Sequence, residues 1–254
     1  MWSDRWSSIG GGGTFGPMDS TFQRARQPEQ KEQRRAHLLG TARELLASGV
    51  GLRALSLSEI ARQAGMAKAN VYRYFDTREA LLLALLWEAW QRWFEGLRAA
   101  WPTLESPKRK PGPIALESVA GLLGRTLARE PLLCELTAAL PTVLEQNLGE
   151  DAIRGFKRES LAFFGTIARF LTERAPALSE AAYAELLHDG AHAIMGLHPA
   201  LHPSPAAARA LEEPSLRFFR RDFREELERV LVALALDHAR RSAMTGKAPT
   251  RPRR

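Results

Sequence analysis

Within the run KANVYRY, Lys68, Asn70, Tyr72, Arg73 and Tyr74 each carry a long polar side chain able to donate a hydrogen bond. Side chains of these types do two kinds of work on a nucleic acid. Lysine can donate to guanine O6 and N7, asparagine can pair bidentately with adenine, and an alanine methyl such as that of Ala69 can meet a thymine methyl. Tyrosine hydroxyls and arginine guanidinium groups hold phosphates, fixing register without reading sequence. Lys68 also sits where a short helix would begin, against the positive end of its dipole. Stability of the free protein does not favour a lysine there, whereas a polyanionic partner would.

The flanking residues suit the task of holding such a segment outward. Ser56 to Glu59 has the S-x-x-E form of a capping box, in which serine and glutamate satisfy free N–H groups at a helix start. Ile60, Ala61 and Ala64 share one face, and Gly65 stands where a left-handed residue ends a helix cheaply. A second helix is expected over about Lys68 to Tyr74, with Val71 and Phe75 four residues apart and turned toward a core. Such a helix fits B-DNA's major groove, which is about 12 Å wide. Taken one at a time, these polar residues could be ordinary solvated surface. With the caps and the turn, they read as a helix-turn-helix.

The segments HLLGTARELLASGV (His37 to Val50), SEIARQAGM (Ser58 to Met66) and VYRYFDTREALL (Val71 to Leu82) together resemble the DNA-binding head of TetR-family transcriptional regulators. The resemblance covers about Arg34 to Leu86. It implies that Ser58, Lys68, Ala69, Asn70, Tyr72, Arg73, Tyr74 and Arg78 meet DNA, with Arg78 on phosphate. Two residues depart from the family's usual pattern. Ala67 replaces a capping serine or threonine, a loss of about 1 kcal/mol, and Arg78 replaces lysine, which keeps the charge but alters its geometry.

Composition limits the alternatives. The chain has 254 residues, 45% of them apolar, and a net charge of +7. The charge is uneven: from Arg240 onward there are six basic residues and no acidic one, and residues 1–82 carry 12 basic against 8 acidic side chains. A basic head and tail around a mildly acidic middle suit a protein that meets phosphate at one end. The arginine-rich end could add salt-sensitive DNA affinity or simply keep the chain in solution. No apolar run reaches the length of a membrane span, and the glycine-rich start has no secretory apolar core. A cytoplasmic protein without membrane contact is expected. The single Cys134 allows no internal disulfide. No phosphate loop, G-x-S-x-G elbow or H-E-x-x-H motif is present, so no catalytic residues, no cofactor and no enzymatic activity are expected.

Periodicity gives an all-α expectation: an N-terminal three-helix helix-turn-helix head on a larger helical ligand-binding and dimerisation body, about nine helices, with no strand pattern. Four segments follow: 1–26, a disordered tail in which Met18 is a candidate start; 27–82, the DNA-binding domain; 83–240, the effector-binding and dimerisation domain; and 241–254, a basic disordered tail. The first helix is expected from Pro28 to about Ser48. The fourth is expected to open after the N-cap Thr77 and to run to about Ala100, joining head and body as one lever. Residues 102–113, rich in proline and charge, read as a disordered loop. Further helices are expected over 114–128, 131–140, 152–174, 179–195 and 215–239.

Partners follow from this organisation. One short reading helix makes too few contacts for specificity, so such proteins bind palindromic half-sites as dimers. A homodimer through the last two long helices is expected, with Phe219, Phe223, Leu227, Val230, Leu231 and Leu234 as the stripe of the final one. Packing within one subunit is the plainer reading of that stripe. The family resemblance implies a small-molecule effector in the body, of unknown identity and mostly apolar. Candidate wall residues are Trp87, Trp90, Phe94, Leu122, Leu133, Leu136, Leu144, Phe163, Ile167 and Phe170, each of which could equally be ordinary core. His188 and His192 have the i, i+4 spacing of a metal pair, with Glu185 or Asp189 needed to complete a site, but structural histidines are commoner and no metal is expected. The competing function is that of a DNA-binding regulator or architectural protein with no inducer.

Overall fold

The computed structural model describes residues 20–105 and 112–245, with side chains described from Glu29 to Met244 outside the gap. Residues 1–19, 106–111 and 246–254 lie outside it, and with them the glycine-rich start, Met18, the centre of the proline-rich loop and the arginine-rich end. The described residues form ten α-helices joined by short 3-10 and π segments, without a strand. The chain divides into two compact units, residues 1–81 and 82–254.

The first unit holds α1 (Ser20–Ala47), α2 (Leu57–Gln63), α3 (Lys68–Val71) and the first turn of α4 (Arg78–Ala100). Helix α1 begins eight residues before Pro28, so residues 20–26 are helical and not part of a disordered tail. It ends at Gly49, whose φ of 96° only glycine adopts without strain. Ser56 caps α2, its hydroxyl accepting from Glu59 N at 3.1 Å. The Glu59 carboxylate does not complete the box but pairs with Arg62 at 2.6 Å. Gly65, with φ 64°, closes α2 in a Schellman turn: Met66 N donates to Ala61 O at 2.9 Å and Gly65 N to Arg62 O at 3.3 Å. The head's core consists of Leu38, Leu39, Ala42, Leu52, Leu55, Ile60, Val71 and Phe75, all buried.

The second unit continues α4 and adds α5 (Leu116–Leu127), α6 (Pro131–Ala139), α7 (Glu150–Arg174), α8 (Glu180–Leu201), α9 (Pro205–Ala210) and α10 (Phe223–Thr245). Pro131 opens α6, where its missing N–H costs nothing, and Pro141 lies in a π-helical turn, Leu140–Leu144, that follows it. Thr77 caps α4 as expected, accepting from Ala80 N at 3.0 Å, and Ser179 caps α8, accepting from Ala182 N at 3.2 Å. Helix α8 does not stop near Met195. It runs through Pro199 to Leu201, although the proline forfeits the bond that its own N–H would have made. The last helix starts later than expected. Pro214–Phe219 is a 3-10 segment, and α10 opens only after Asp222, whose carboxylate accepts from Glu225 N at 2.9 Å. Phe219 therefore leaves the final stripe and stands 61% exposed. Residues 241–245, expected in the basic tail, belong to α10.

Helix α10 packs on α5 and α8, burying Leu227, Leu231 and Ala235. Two glycines allow that approach. A Cβ at Gly124 would stand 2.7 Å from Glu228 Cα, and one at Gly190 would stand 2.9 Å from a methyl of Leu231. Arg125 and Glu228 form an ion pair across the α5–α10 contact.

Candidate functional site

The residues of the expected reading segment divide by burial. Lys68, Ala69, Asn70, Tyr72 and Arg73 are exposed, Tyr74 is half-buried, and Val71 and Phe75 are buried. The helix is shorter than the seven residues anticipated. Helix α3 is a single turn, and Tyr72 to Tyr74 continue in i→i+3 bonds: Arg73 N to Asn70 O at 3.2 Å and Tyr74 N to Val71 O at 2.9 Å. Ala67 supplies no side-chain cap, and four residues form too few bonds to persist without packing. Two buried anchors, Val71 and Phe75, hold the turn. The Lys68 ammonium lies 6.0 Å from the Tyr72 ring centre, at the outer limit of a cation–π contact. Ser58, in the first turn of α2, is exposed.

Arg78 is placed differently from the other basic residues. Its guanidinium donates to the Glu79 carboxylate at 2.6 and 3.1 Å and to Arg53 O at 3.1 Å. Glu79 is 4% exposed, so Arg78 compensates a buried carboxylate and ties the start of α4 to the loop after α1. Its bonds lie within the head, where sequence reasoning placed it on phosphate.

Sequence reasoning passed over α1 as a source of polar contacts. Gln30, Lys31 and Arg34 line one open depression with Arg73 and Tyr74, of about 390 Å³. The run QKEQRR carried the signal: cations spaced along the outer face of a helix that the head must bury only in part.

In the second unit, the ten residues expected to line a ligand chamber do not all meet at one cavity. Trp90 and Leu133 border an apolar cavity of about 30 Å³. Most of the aromatic ones form a seam between α4 and α7 instead. Trp87 and Phe163 have ring centres 5.0 Å apart, Trp90 and Phe163 6.4 Å, Phe94 and Phe163 5.9 Å, and Phe94 and Phe170 5.5 Å. Offset and edge-to-face pairs at these separations fill space with one another. Leu122, Leu136, Leu144 and Ile167 are buried. The cavity's other walls come from Trp93, Leu123, Leu127, Thr137 and Phe164, from Leu186, Leu187, Gly190, Ala191 and Ile194 of α8, and from Leu231 of α10. The α8 contribution had no distinguishing signal in sequence, since a wall-forming leucine and a core leucine look alike.

Three other groups lie apart from the cavity. His188 and His192 are exposed, with ring centres 4.3 Å apart. The acids that might have joined them face His238 of α10 instead, Asp189 at 3.0 Å and Glu185 at 3.6 Å. Among the described residues no group of three or more His, Cys, Asp or Glu side chains is arranged to hold a metal ion. Cys134 is buried and its thiol donates to Leu127 O at 3.3 Å; burial, with Glu130 adding repulsion, pushes its pKa up to about 12, so it is no nucleophile at neutral pH.

These two units define a class, a helix-turn-helix head followed by an all-α body, and comparison with known proteins gives it a family. Residues 87–236 match the family described as "Tetracyclin repressor-like, C-terminal domain", and residues 38–85 match "Bacterial regulatory proteins, tetR family". The chain belongs to the TetR family of DNA-binding transcriptional regulators, which are non-catalytic proteins. It is similar to the fatty acid degradation regulator FadR from Bacillus halodurans, at 16% identity over 78% of this chain and 97% of that one, with a TM-score of 0.43. It is also similar to the putative regulatory protein SCO4313, at 21% identity over 82% and 98% of the two chains, with a TM-score of 0.46. No curated protein matches it in sequence. Among the described residues no helix is long and apolar enough to cross a membrane.

Proposed function

We propose that this protein is a homodimeric repressor that reads a palindromic operator through α3 and the turn after it, and leaves that operator when a small hydrophobic molecule enters the body. The observation that carries the first half is the division of KANVYRYF into an exposed polar face and the buried anchors Val71 and Phe75. Lys68, Ala69, Asn70 and Arg73 meet base edges; Ser58, Tyr72 and Tyr74 meet phosphates. Lys31 and Arg34 extend the phosphate-facing surface, since they share a depression with Arg73 and Tyr74. Arg78 acts through position, holding α4 to the loop at Arg53.

Selection of duplexes from a random pool, followed by titration at several salt concentrations, tests this reading. Enrichment of an inverted repeat supports it, and recovery of unrelated sequences with a purely salt-driven affinity overturns it.

The dimer forms through α8 and α10. Both keep apolar side chains only half-buried in the single chain, among them Met195, Leu197, Val230 and Leu234, while Leu236 is exposed. Two such helices paired across a two-fold axis make a four-helix bundle. Sedimentation velocity at micromolar concentration gives a dimer, converted to a monomer by Leu236→Arg; a wild-type monomer would remove the proposal. The effector shifts DNA affinity by linkage, typically about 1–3 kcal/mol.

A further inference from the structure

The cavity bordered by Trp90, Trp93, Leu133 and Phe164 contains one polar side chain of particular interest, that of Thr137 on α6. Thr137 is 1% exposed, and its hydroxyl has no hydrogen-bond partner among the described residues. A threonine in a helix ordinarily returns its hydroxyl to the carbonyl four residues back, as Thr126 does to Leu122 O at 2.9 Å. Thr126 also receives the Trp93 indole N–H at 3.1 Å, so that second polar group at the wall is already satisfied. A buried hydroxyl left alone costs free energy unless something supplies a partner. Valine would fill the same space without that cost.

The other cavity walls are apolar side chains and the backbone of Gly190, and no charged residue is among them. A ligand carboxylate or ammonium brought here would lose its hydration with no opposite charge to replace it. A flat apolar ligand with one neutral hydroxyl or carbonyl would instead cover the tryptophan and leucine walls and pair its polar atom with Thr137. The cavity's 30 Å³ is far below the roughly 150 Å³ of an apolar cavity that takes up benzene, so an organic ligand must widen it. Widening presses on α8 and on Leu231 of α10, because the space between Gly190 and Leu231 is too small even for a Cβ.

We infer that the effector of this protein is an uncharged, largely aromatic or alicyclic compound with a single neutral hydrogen-bonding group, and that Thr137 receives that group. This rests on the proposal that the body binds an effector, and the test separates the two. Phenol and toluene match in size and differ in one hydroxyl, and benzoate is slightly larger and carries a charge. Each is titrated into the whole protein while tryptophan fluorescence is followed, Trp90 and Trp93 being wall residues.

The expected order is phenol tightest, toluene about tenfold weaker, as loss of one buried hydrogen bond implies, and benzoate weakest. In Thr137→Val the phenol advantage disappears while toluene binds as before, and the thermal midpoint shows that the variant is folded. Equal binding of phenol and toluene to wild type, a phenol advantage that survives Thr137→Val, or benzoate binding as well as phenol would each overturn the role of Thr137 but leave an effector site standing. Absence of binding by all three would overturn the site itself.

Discussion

The head and the body use the same kinds of residue in opposite ways. In the head, the aromatic and basic side chains of interest are at the surface: Tyr72 is 45% exposed and Arg73 stands in solvent, both held by the buried anchors Val71 and Phe75. In the body, the aromatic rings are buried against one another, and Trp87, Trp90, Trp93 and Phe94 are each less than a tenth exposed. A surface that reads DNA must keep its donors free for a partner, so its scaffold is small and its working residues contribute little to stability. A chamber that holds a ligand must be made of core, so its working residues and its stabilising residues are the same. Substitutions should therefore separate binding from stability in the head and couple them in the body.

The largest expected departure lies in the body. Gly124→Leu forces a side chain against Glu228 Cα, where backbone and not a flexible tip is in the way. A loss of about 3 kcal/mol in urea unfolding is expected, at the upper end for overpacking. A loss below about 1 kcal/mol would show that α5 and α10 are less closely joined than they are here.

In the head, Arg73→Ala should weaken operator binding by about 2 kcal/mol while moving the unfolding free energy by less than about 0.5 kcal/mol. A comparable loss of stability would break the contrast, since Arg73 would then belong to the scaffold. The head does have a scaffold position of its own. Gly65→Ala places a Cβ in the left-handed region and should cost about 1–2 kcal/mol, although nothing lies within 4 Å to clash with it.

A smaller effect depends on pH. His198 of α8 stacks on His202, with ring centres 4.1 Å apart. Burial, reinforced by His202, lowers its pKa from the ordinary 6.5 to about 4. The unfolded chain then takes up a proton before the folded one does. The stability associated with neutral His198 is complete above pH 6.5 and lost as pH falls toward 4. Glu135 faces the same pair; burial raises its pKa against the pull of His202, so it favours the folded state on the acid side and offsets part of the loss. His198→Phe should flatten the fall in thermal midpoint between pH 7 and pH 5, and an unchanged slope would assign the fall to other groups.

The smallest expected change is that of Thr137→Val. Its midpoint should hold or rise slightly, because an unpartnered hydroxyl is removed from the core. It is the one place in the body where binding and stability are expected to come apart.

The head was legible in the sequence because its signals are local. A cap at Ser56, a left-handed glycine at Gly65 and the i, i+4 pair Val71 and Phe75 are each set within a few residues, and all three are present in the structure. Local signals also misled where packing competed with them. Pro28 looked like a helix start and lies inside α1, and the helix expected over 179–195 continues through Pro199 to Leu201. Phe219 carried the right spacing for the last helix, yet Pro214 and the extended backbone at Arg220 set it in a separate segment.

Helix content, the turn that exposes Lys68 to Arg73, and the family follow from the order of residues alone, because caps, glycines and apolar spacing act over a few positions at a time. Which aromatic rings pack together and which border open space depends on segments more than a hundred residues apart in the chain, such as Leu123 of α5 and Leu231 of α10 at one cavity. Whether Thr137 finds a hydrogen-bond partner, and whether Arg78 faces phosphate or Glu79, is likewise decided only by what the fold places within about 3 Å of each polar atom.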